Sequence, residues 1–509
     1  MRCNTLQNSS TVLDNLKKHA TNSNYQYKDL YRQFYNEQFY IRAYISIYKN
    51  DGSATQMVDS TTADGYDDDR IQSLISKIRN ESYQPKPARR TYISKTNGKL
   101  RPLGVPSFDD HIIQQICKEI LDNIYEPVFS NNSHGFRAKK NCHTALRSIM
   151  TNFVGSKYFI EGDIKDFFDN IDHHVLISIL KRRIKDAKFI RLIWKFLRSG
   201  YVENWIYNKT YSGTPQGGII SPVLANIYLN ELDNFVEKTL AFQFNKGTKK
   251  QQLKNPAYTN QHKTSHFLYS TNAFRKITYI RHADDFIIGV IGNKDDCEML
   301  KQQIKSFLDT NLKLELSAEN TLITYSNDYA RFLGYDIRVR NEDSLSKCAD
   351  GVTSKVHMGK IQLLVPKERI HRVINEKKLV KDINAPQWKM MHRNILLNLS
   401  DLEIISLVNE EIRGLYNYFI LAENISQSFN KLYYAFEYSC LKTYARKHNT
   451  TVSKFRSSHS IGKDWGIRYN NKEGLQVRIF YNQGFKRNIN PKLTNPDDKP
   501  KDLDTTELE

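Results

Sequence analysis

Cysteine is scarce in this chain and badly spaced for structural work. The six residues, Cys3, Cys117, Cys142, Cys297, Cys348 and Cys440, form no Cys-x-x-Cys pair. That spacing argues against zinc, and a disulfide framework is out of keeping with so long a chain. A reducing compartment fits. Long apolar runs are missing too: none approaches the ~20 residues of a membrane-spanning helix. Met1 to Ser10 lacks the charged-then-apolar order of a secretory signal, while an organelle-import segment stays open. There are no internal repeats. Acid is in deficit, with 55 Asp and Glu against 75 Lys and Arg, a formal charge of +20. Such a surplus implies a polyanionic partner, RNA or DNA, bound with strong salt dependence. An anionic membrane surface is the lesser alternative. At 509 residues, several packed units are expected rather than one. Richness in Lys, Asn, Ile and Tyr suggests an AT-rich coding sequence, as in some bacteria and some organelles.

The most informative stretch is Lys276-Ile-Thr-Tyr-Ile-Arg-His-Ala-Asp-Asp-Phe-Ile-Ile-Gly-Val290. Its β-branched and aromatic flanks predict two strands. Asp284 and Asp285 fall between them. Adjacent carboxylates repel and desolvate badly unless cations neutralise them. An isolated Ala-Asp-Asp would read as a solvated turn. A second stretch changes that: Tyr158, Phe159 and Ile160 predict a strand ending at Asp163. Three carboxylates at strand ends complete a two-Mg²⁺ site of the kind that stabilises attacking and leaving oxygens in phosphoryl transfer. Mg²⁺ suits it because it takes few protein carboxylates and leaves room for water and phosphate.

The motifs come in a recognisable order: the Asp163 motif, then Ser212-Gly-Thr-Pro-Gln-Gly-Gly-Ile-Ile-Ser-Pro222, then His282-Ala-Asp-Asp285. On these residues the chain resembles group II intron-encoded reverse transcriptases, also called intron maturases, from about residue 25 to about residue 455. The resemblance implies catalysis at Asp163, Asp284 and Asp285, and metal held by Asp163, Ile164, Asp284 and Asp285. It also implies that Lys95 and Arg101 touch the incoming triphosphate. Phe168 would close off the sugar 2′-position, and Gln216 would pack near the nucleotide. Four positions depart from the family pattern: His282 replaces Tyr, Asn320 replaces Lys, and Ala138-Lys139 replaces Pro-Gly.

Read in order, residues 1–24 are polar and loosely ordered, and Tyr25 to Lys49 has helical spacing. Ile71 to Ile78 predicts an amphipathic helix. Pro85 to Gly104 is a hairpin turning at Asn97-Gly98. His111 to Phe129 is a buried helix, and Val175 to Leu197 one helical run. Ala241 to Lys276 is a polar, basic insertion; Leu312 to Thr324 reads strand-turn-strand. Pro366 starts a helix that buries Ile370, Val373 and Ile374. Asp401 to His448 is helical and resembles the maturase region, often called domain X. Arg137, Lys139 and Lys140 are expected to line a nucleic-acid groove. Arg413, Lys442, Arg446, Lys447 and His448 are the expected intron-RNA contacts.

The fold expected is α/β plus α: a right-hand polymerase of fingers and palm with a helical thumb and maturase (X) region. Its units are an N-terminal extension (1–66), fingers and palm (67–345), thumb (346–395), maturase region with a basic extension (396–486) and a disordered tail (487–509). The partners implied are group II intron RNA, an RNA template with a DNA primer, and dNTPs, with neither membrane nor zinc. The setting is a ribonucleoprotein in bacterial cytoplasm or an organelle matrix. No His/Cys/Asn cluster follows the maturase region, so no homing endonuclease is expected. A splicing cofactor with a weakened polymerase is the second reading, drawing on His282 and Asn320. An intron-free reverse transcriptase used in defence or repair is the third.

Overall fold

The computed structural model describes residues 7–48, 66–94, 100–203, 206–210, 212–213, 217–246, 274–340, 345–347, 353–355, 359–471 and 474–491. Lys95, the Asn97-Gly98 turn and Gln216 lie outside them.

Helix α1 (Ser9–Lys18) is capped by the Asn8 side chain, and its Val12 and Leu13 join the core. Residues 7–24 are therefore more ordered than their composition suggests, because two apolar side chains find a surface to cover. After a 3₁₀ turn (Tyr31–Tyr35) come α2 (Glu37–Tyr48) and α3 (Asp68–Arg79). The predicted stripe of α3 is buried: Ile71, Leu74, Ile75 and Ile78. Strands β1 (Ala88–Ser94) and β2 (Leu100–Val105) form the predicted hairpin, in register from Arg89↔Val105 to Ser94↔Leu100. The buried helix α4 (Phe108–Tyr125) is next along the chain, then α5 (Cys142–Asn152), β3 (Tyr158–Gly162) and the short α6 (Phe167–Asn170).

The run predicted as one helix over 175–197 is two, α7 (His173–Arg183) and α8 (Ala187–Leu197). Ile184 leaves the helix to bridge Tyr27, and Asp186 caps α8 by accepting from the Lys188 and Phe189 N–H groups. A cap written into the middle of an apolar period overrides that period. Next come β4 (Tyr201–Glu203), β5 (Ile206–Asn208), α9 (Ser221–Asn234) and α10 (Ala241–Phe244). The first sheet has the order β2-β1-β4-β5.

Strands β6 (Lys276–His282) and β7 (Asp285–Ile291) form the central hairpin, succeeded by α11 (Lys294–Phe307) and β8 (Leu322–Tyr325). Of the predicted strand-turn-strand over 312–324, the first arm is only a bridge, Leu316 to Ile164. The second sheet runs β6-β7-β3-β8. Period two along its strands sends side chains into two different cores. Ile160, Ile277, Tyr279, Phe286 and Ile288 face the core shared with α1–α4 and α7–α9. Phe159, Ile280 and Ile287 face a second core. Burial on both faces is why the β6–β7 stretch is apolar almost without alternation.

The C-terminal elements build the second core. Its strands are β9 (Ala330–Phe332), β10 (Tyr335–Val339) and β13 (Ile361–Leu364), while β11 (Leu345–Lys347) and β12 (Thr353–Lys355) pair as a separate two-stranded sheet. Then come α12 (Lys367–Glu376), α13 (Asp401–Phe419), α14 (Ile425–Lys447) and α15 (Val452–Ser458). Strands β14 (Ser460–Ile461), β15 (Asp464–Asn471) and β16 (Gly474–Ile479) close the fold. Ile370, Val373 and Ile374 of α12 are buried as predicted. They share one core with Ile337 of β10, Leu363 of β13 and Ile404, Ile405 and Val408 of α13. At the start of the expected tail, Arg487 is tied down: its Nε donates to the Leu421 carbonyl at 2.9 Å, and it pairs with Glu423 at 3.2 Å. Residues 492–509 lie outside the described residues.

Candidate active site and nucleic-acid surfaces

The acidic cluster follows from strand register. β3 pairs with β7 antiparallel, ending at Gly162↔Phe286. One step further places Asp163 across from Asp285. Both share the parity of Phe159 and Ile287, so both lie on the sheet face toward the second core. Ala283 and Asp284 form the two-residue turn between β6 and β7, closed by the His282↔Asp285 pair. Asp285 reaches solvent, but the protein around it desolvates the carboxylate, and the charges of Asp284 and Asp163 add to this. Together they push its carboxyl up to about 7. Water screens part of the burial effect; like-charge repulsion keeps the direction upward.

Asp163 does not face the other two alone. Its Oδ2 accepts from the Asn320 amide at 2.7 Å. No three His, Cys, Asp or Glu side chains among the described residues form a ready-made metal-holding group. The donor chemistry nonetheless suits a hard divalent cation: carboxylate oxygens whose mutual repulsion a cation would relieve. Ile164 follows Asp163 in the chain and bridges to Leu316. Its bridge to Leu316 is closed by Ser317 N–H to the Asp163 carbonyl and Lys165 N–H to the Glu315 carbonyl. Neither bond uses the carbonyl of Ile164.

Behind the hairpin stands a network that the sequence motifs do not announce. Arg281 is fully buried and pairs with Asp233 of α9 at 2.6 Å. The Tyr279 hydroxyl donates to the same carboxylate at 2.8 Å. Arg281 also donates to the Ser133 hydroxyl and, at 2.8 Å, to the Ala283 carbonyl in the turn itself. Segment 132–135 runs alongside: His134 N–H donates to the Arg281 carbonyl at 2.8 Å. Gly135 then passes so close that a Cβ there would lie 2.3 Å from the Ala283 nitrogen. Gly135→Ala is expected to push the Asp284–Asp285 turn out of place. We expect primer extension to fall about 100-fold with RNA binding retained, measured by initial rates and gel shift.

On the side of the second core, His282 lies 3.5 Å (Nε2) from Cys142 Sγ at the start of α5. Next along α5, His143 contacts the Tyr418 carbonyl at 2.8 Å, and the Tyr418 hydroxyl donates to the Leu333 carbonyl at 2.9 Å. The end of β6 beside the Asp284–Asp285 turn, α5 and the end of α13 are thus joined through adjacent side chains.

For the nucleotide-binding positions, Arg101 lies in β2 opposite Ile93. Phe168 is buried, 8% exposed, with its ring edge-on to Phe136 at 6.2 Å. The glycine-rich loop approaches β2 closely: Gly217, at φ +109, would place a Cβ 2.4 Å from the Gly104 carbonyl oxygen.

The expected RNA-contacting cations divide into two groups. Arg137 is a correction. It is buried, paired with Glu126 at 2.9 Å, and donates to the Ser133 carbonyl at 2.8 Å, so it braces its own loop rather than lining a groove. Arg137→Ala should cost about 2 kcal/mol of stability while leaving the salt slope of RNA binding unchanged. Denaturant midpoints and binding at several salt concentrations check this. Lys139 is exposed, and Lys140 donates to the Asn131 carbonyl. Burial, then Arg137, pulls Lys140 down to about 8. Lys447 and His448 are engaged within the protein as well. Both clasp Asp401, at 2.8 and 2.9 Å, tying the end of α14 to the start of α13. Arg413, Lys442 and Arg446 are exposed. Lys442 and Arg446 continue a helical stripe that begins at Tyr434 and Tyr438, whose rings lie 4.5 Å apart. The spacing of four held this signal; the residue types hid it.

Residues 93–337 match the profile of the reverse transcriptase (RNA-dependent DNA polymerase) family, and residues 358–495 that of type II intron maturases. The group II intron-encoded protein LtrA of Lactococcus lactis subsp. cremoris is 43% identical over 92% of this chain and 84% of its own length. An uncharacterised 91 kDa protein in a cob intron of Schizosaccharomyces pombe is 32% identical, covering 95% of this chain and 63% of that protein. A putative COX1/OXI3 intron 1 protein of Saccharomyces cerevisiae is 32% identical, covering 88% of this chain and 57% of that protein.

Proposed function

The chain belongs to the group II intron-encoded reverse transcriptase and maturase family, and from that premise we propose that Asp163, Asp284 and Asp285 form the polymerase centre. The protein is an RNA-directed DNA polymerase of right-hand type, dependent on divalent metal, that binds intron RNA and its nucleic-acid substrates. No helix among the described residues is long and apolar enough to cross a membrane. One observation carries the assignment of the centre: the antiparallel β3–β7 register brings Asp163 across from Asp285 at the tip of the β6–β7 hairpin.

In the proposed reaction the primer 3′-hydroxyl attacks the α-phosphate of a dNTP. A phosphorus–oxygen bond to the primer forms, the bond to pyrophosphate breaks, and the hydroxyl proton leaves to solvent. Asp163, Asp284, Asp285 and the Ile164 carbonyl would hold Mg²⁺, as two ions. When bound, these ions neutralise charge on the attacking and leaving oxygens. The side chains supply position: Asn320 fixes the Asp163 carboxylate through its amide. At this position it serves as an orienting donor, where a lysine would serve as a proton source. Phe168 bars a ribose 2′-hydroxyl, Lys95 and Arg101 meet the triphosphate, and Gln216 packs near the base pair. Lys139, Arg413, Lys442 and Arg446 face the intron RNA in a ribonucleoprotein of bacterial cytoplasm or organelle matrix.

The test is primer extension on an RNA template by the purified protein. Product is expected with dNTPs and Mg²⁺ and none with chelator. Phe168→Ala should raise ribonucleotide incorporation about tenfold. Wild type that makes no cDNA under these conditions would remove the proposal.

A further inference from the structure

A cavity of about 650 Å³ lies away from the acidic cluster, between α8, the chain entering β1, and β5. Its walls are Pro85, Arg191, Trp194, Lys195, Arg198 and Tyr207. None of these belongs to the expected catalytic, nucleotide or RNA sets. Three of the residues are cations on successive turns of one helix. Arg191 shares Glu81 with Lys188, each at 2.7 Å. Lys195 donates to the Glu81 and Tyr83 carbonyls at 3.1 and 2.7 Å, bonds that leave its charge in place. The Arg198 guanidinium lies over the Trp194 ring, 4.4 Å from its centroid. Lys188 and Arg191 thus meet the Glu81 carboxylate, whereas Lys195 reaches backbone carbonyls and Arg198 a ring face. Trp194 is half-buried and held edge-on by His174 at 5.1 Å, while Tyr207 stands open to solvent.

We propose that this cavity binds one or two nucleotides of single-stranded RNA. The charge surplus takes phosphate, the exposed Tyr207 ring offers a flat face for a base, and the Arg198 guanidinium plane, itself stacked on Trp194, offers a second. Its volume is that of a small-ligand site. The combination of cationic groove and aromatic platform is what sequence-tolerant single-strand binding requires. Duplex would present its bases already stacked and could not use the rings. The inference rests on the chain being an RNA-binding polymerase. Two strands could supply the nucleotides, the intron RNA or the template ahead of the primer end.

Arg198 is exposed, so Arg198→Gln tests the charge without threatening the fold; Trp194→Phe tests the ring. The first probe is a fluorescent oligouridylate, titrated at several salt concentrations. Arg198→Gln should lower the slope of log affinity against log salt by about one. Trp194→Ala should weaken binding about tenfold, with Trp194→Phe restoring most of it. Competition by an intron transcript, and extension on templates with long and single-nucleotide overhangs, identify the source. Lost intron affinity points to the intron; slowed extension on long overhangs alone points to the template. Wild-type binding with unchanged slope and affinity in all three variants overturns the cavity site. So does displacement of the oligouridylate by polyglutamate, which would mark a site for acidic peptide. Wild type that binds no RNA at all would instead count against the RNA-binding reading.

Discussion

Asp285→Asn is expected to abolish cDNA synthesis and, in chelator, to make the protein more resistant to heat. The first effect should reach about 1,000-fold or more, since a charge held ready for the transition state is removed. The second is a consequence of linkage. The Asp285 carboxyl moves from 3.8 to about 7, chiefly by desolvation, then through Asp284 and Asp163. Between those values the folded protein holds more protons than the unfolded chain. Stability therefore falls as pH rises through that window and is fully present below it. Asparagine carries no charge and escapes the loss. Thermal melts in chelator across the window should show wild type losing stability with rising pH and Asp285→Asn losing less. Added Mg²⁺ should raise the wild-type midpoint near neutral pH and leave the variant almost unmoved. Equal pH slopes for the two proteins would refute the crowding of charge on which the site is built.

Arg281→Leu should be the most damaging change outside the acidic cluster, at about 3–5 kcal/mol. Both partners of the Arg281–Asp233 pair are essentially inaccessible to water. Removing the cation leaves a buried carboxylate with the Tyr279 hydroxyl as its remaining side-chain donor from this network. The turn carbonyl of Ala283 also loses its donor, so synthesis should fail along with stability. Asp233→Leu added to Arg281→Leu should recover much of the stability, because an apolar pair needs no solvation. It should not recover synthesis, since the Ala283 carbonyl stays unheld. Urea midpoints for the single and double variants, beside primer extension, test this. A single variant within about 1 kcal/mol of wild type would mean that water reaches the pair after all.

Much of the fold is readable from local pattern. The α3 stripe, the β1–β2 hairpin, α4, the β6–β7 pair and the inward residues of α12 all arise from periodicity and turn chemistry. The failures have local causes as well. Asp186 caps α8 inside what reads as one continuous period. Val12 and Leu13 order a segment too polar to suggest it. Cations were hardest to place. Arg137, Lys447 and His448 look like surface charge in a one-dimensional string, yet each meets a carboxylate in space: Glu126 for the first and Asp401 for the other two.

The amino-acid sequence by itself determined where three carboxylates, Asp163, Asp284 and Asp285, fall relative to the predicted strands, and a positive charge suited to a polyanion. Those depend on residue type and short-range spacing, which the string carries in full. Only the tertiary structure decided what surrounds them: Arg281 under the turn, Asn320 on Asp163, Cys142 beside His282, and a cationic cavity on α8. These contacts join residues far apart along the chain, and a contact between distant residues exists only once the sheet has been packed from both faces.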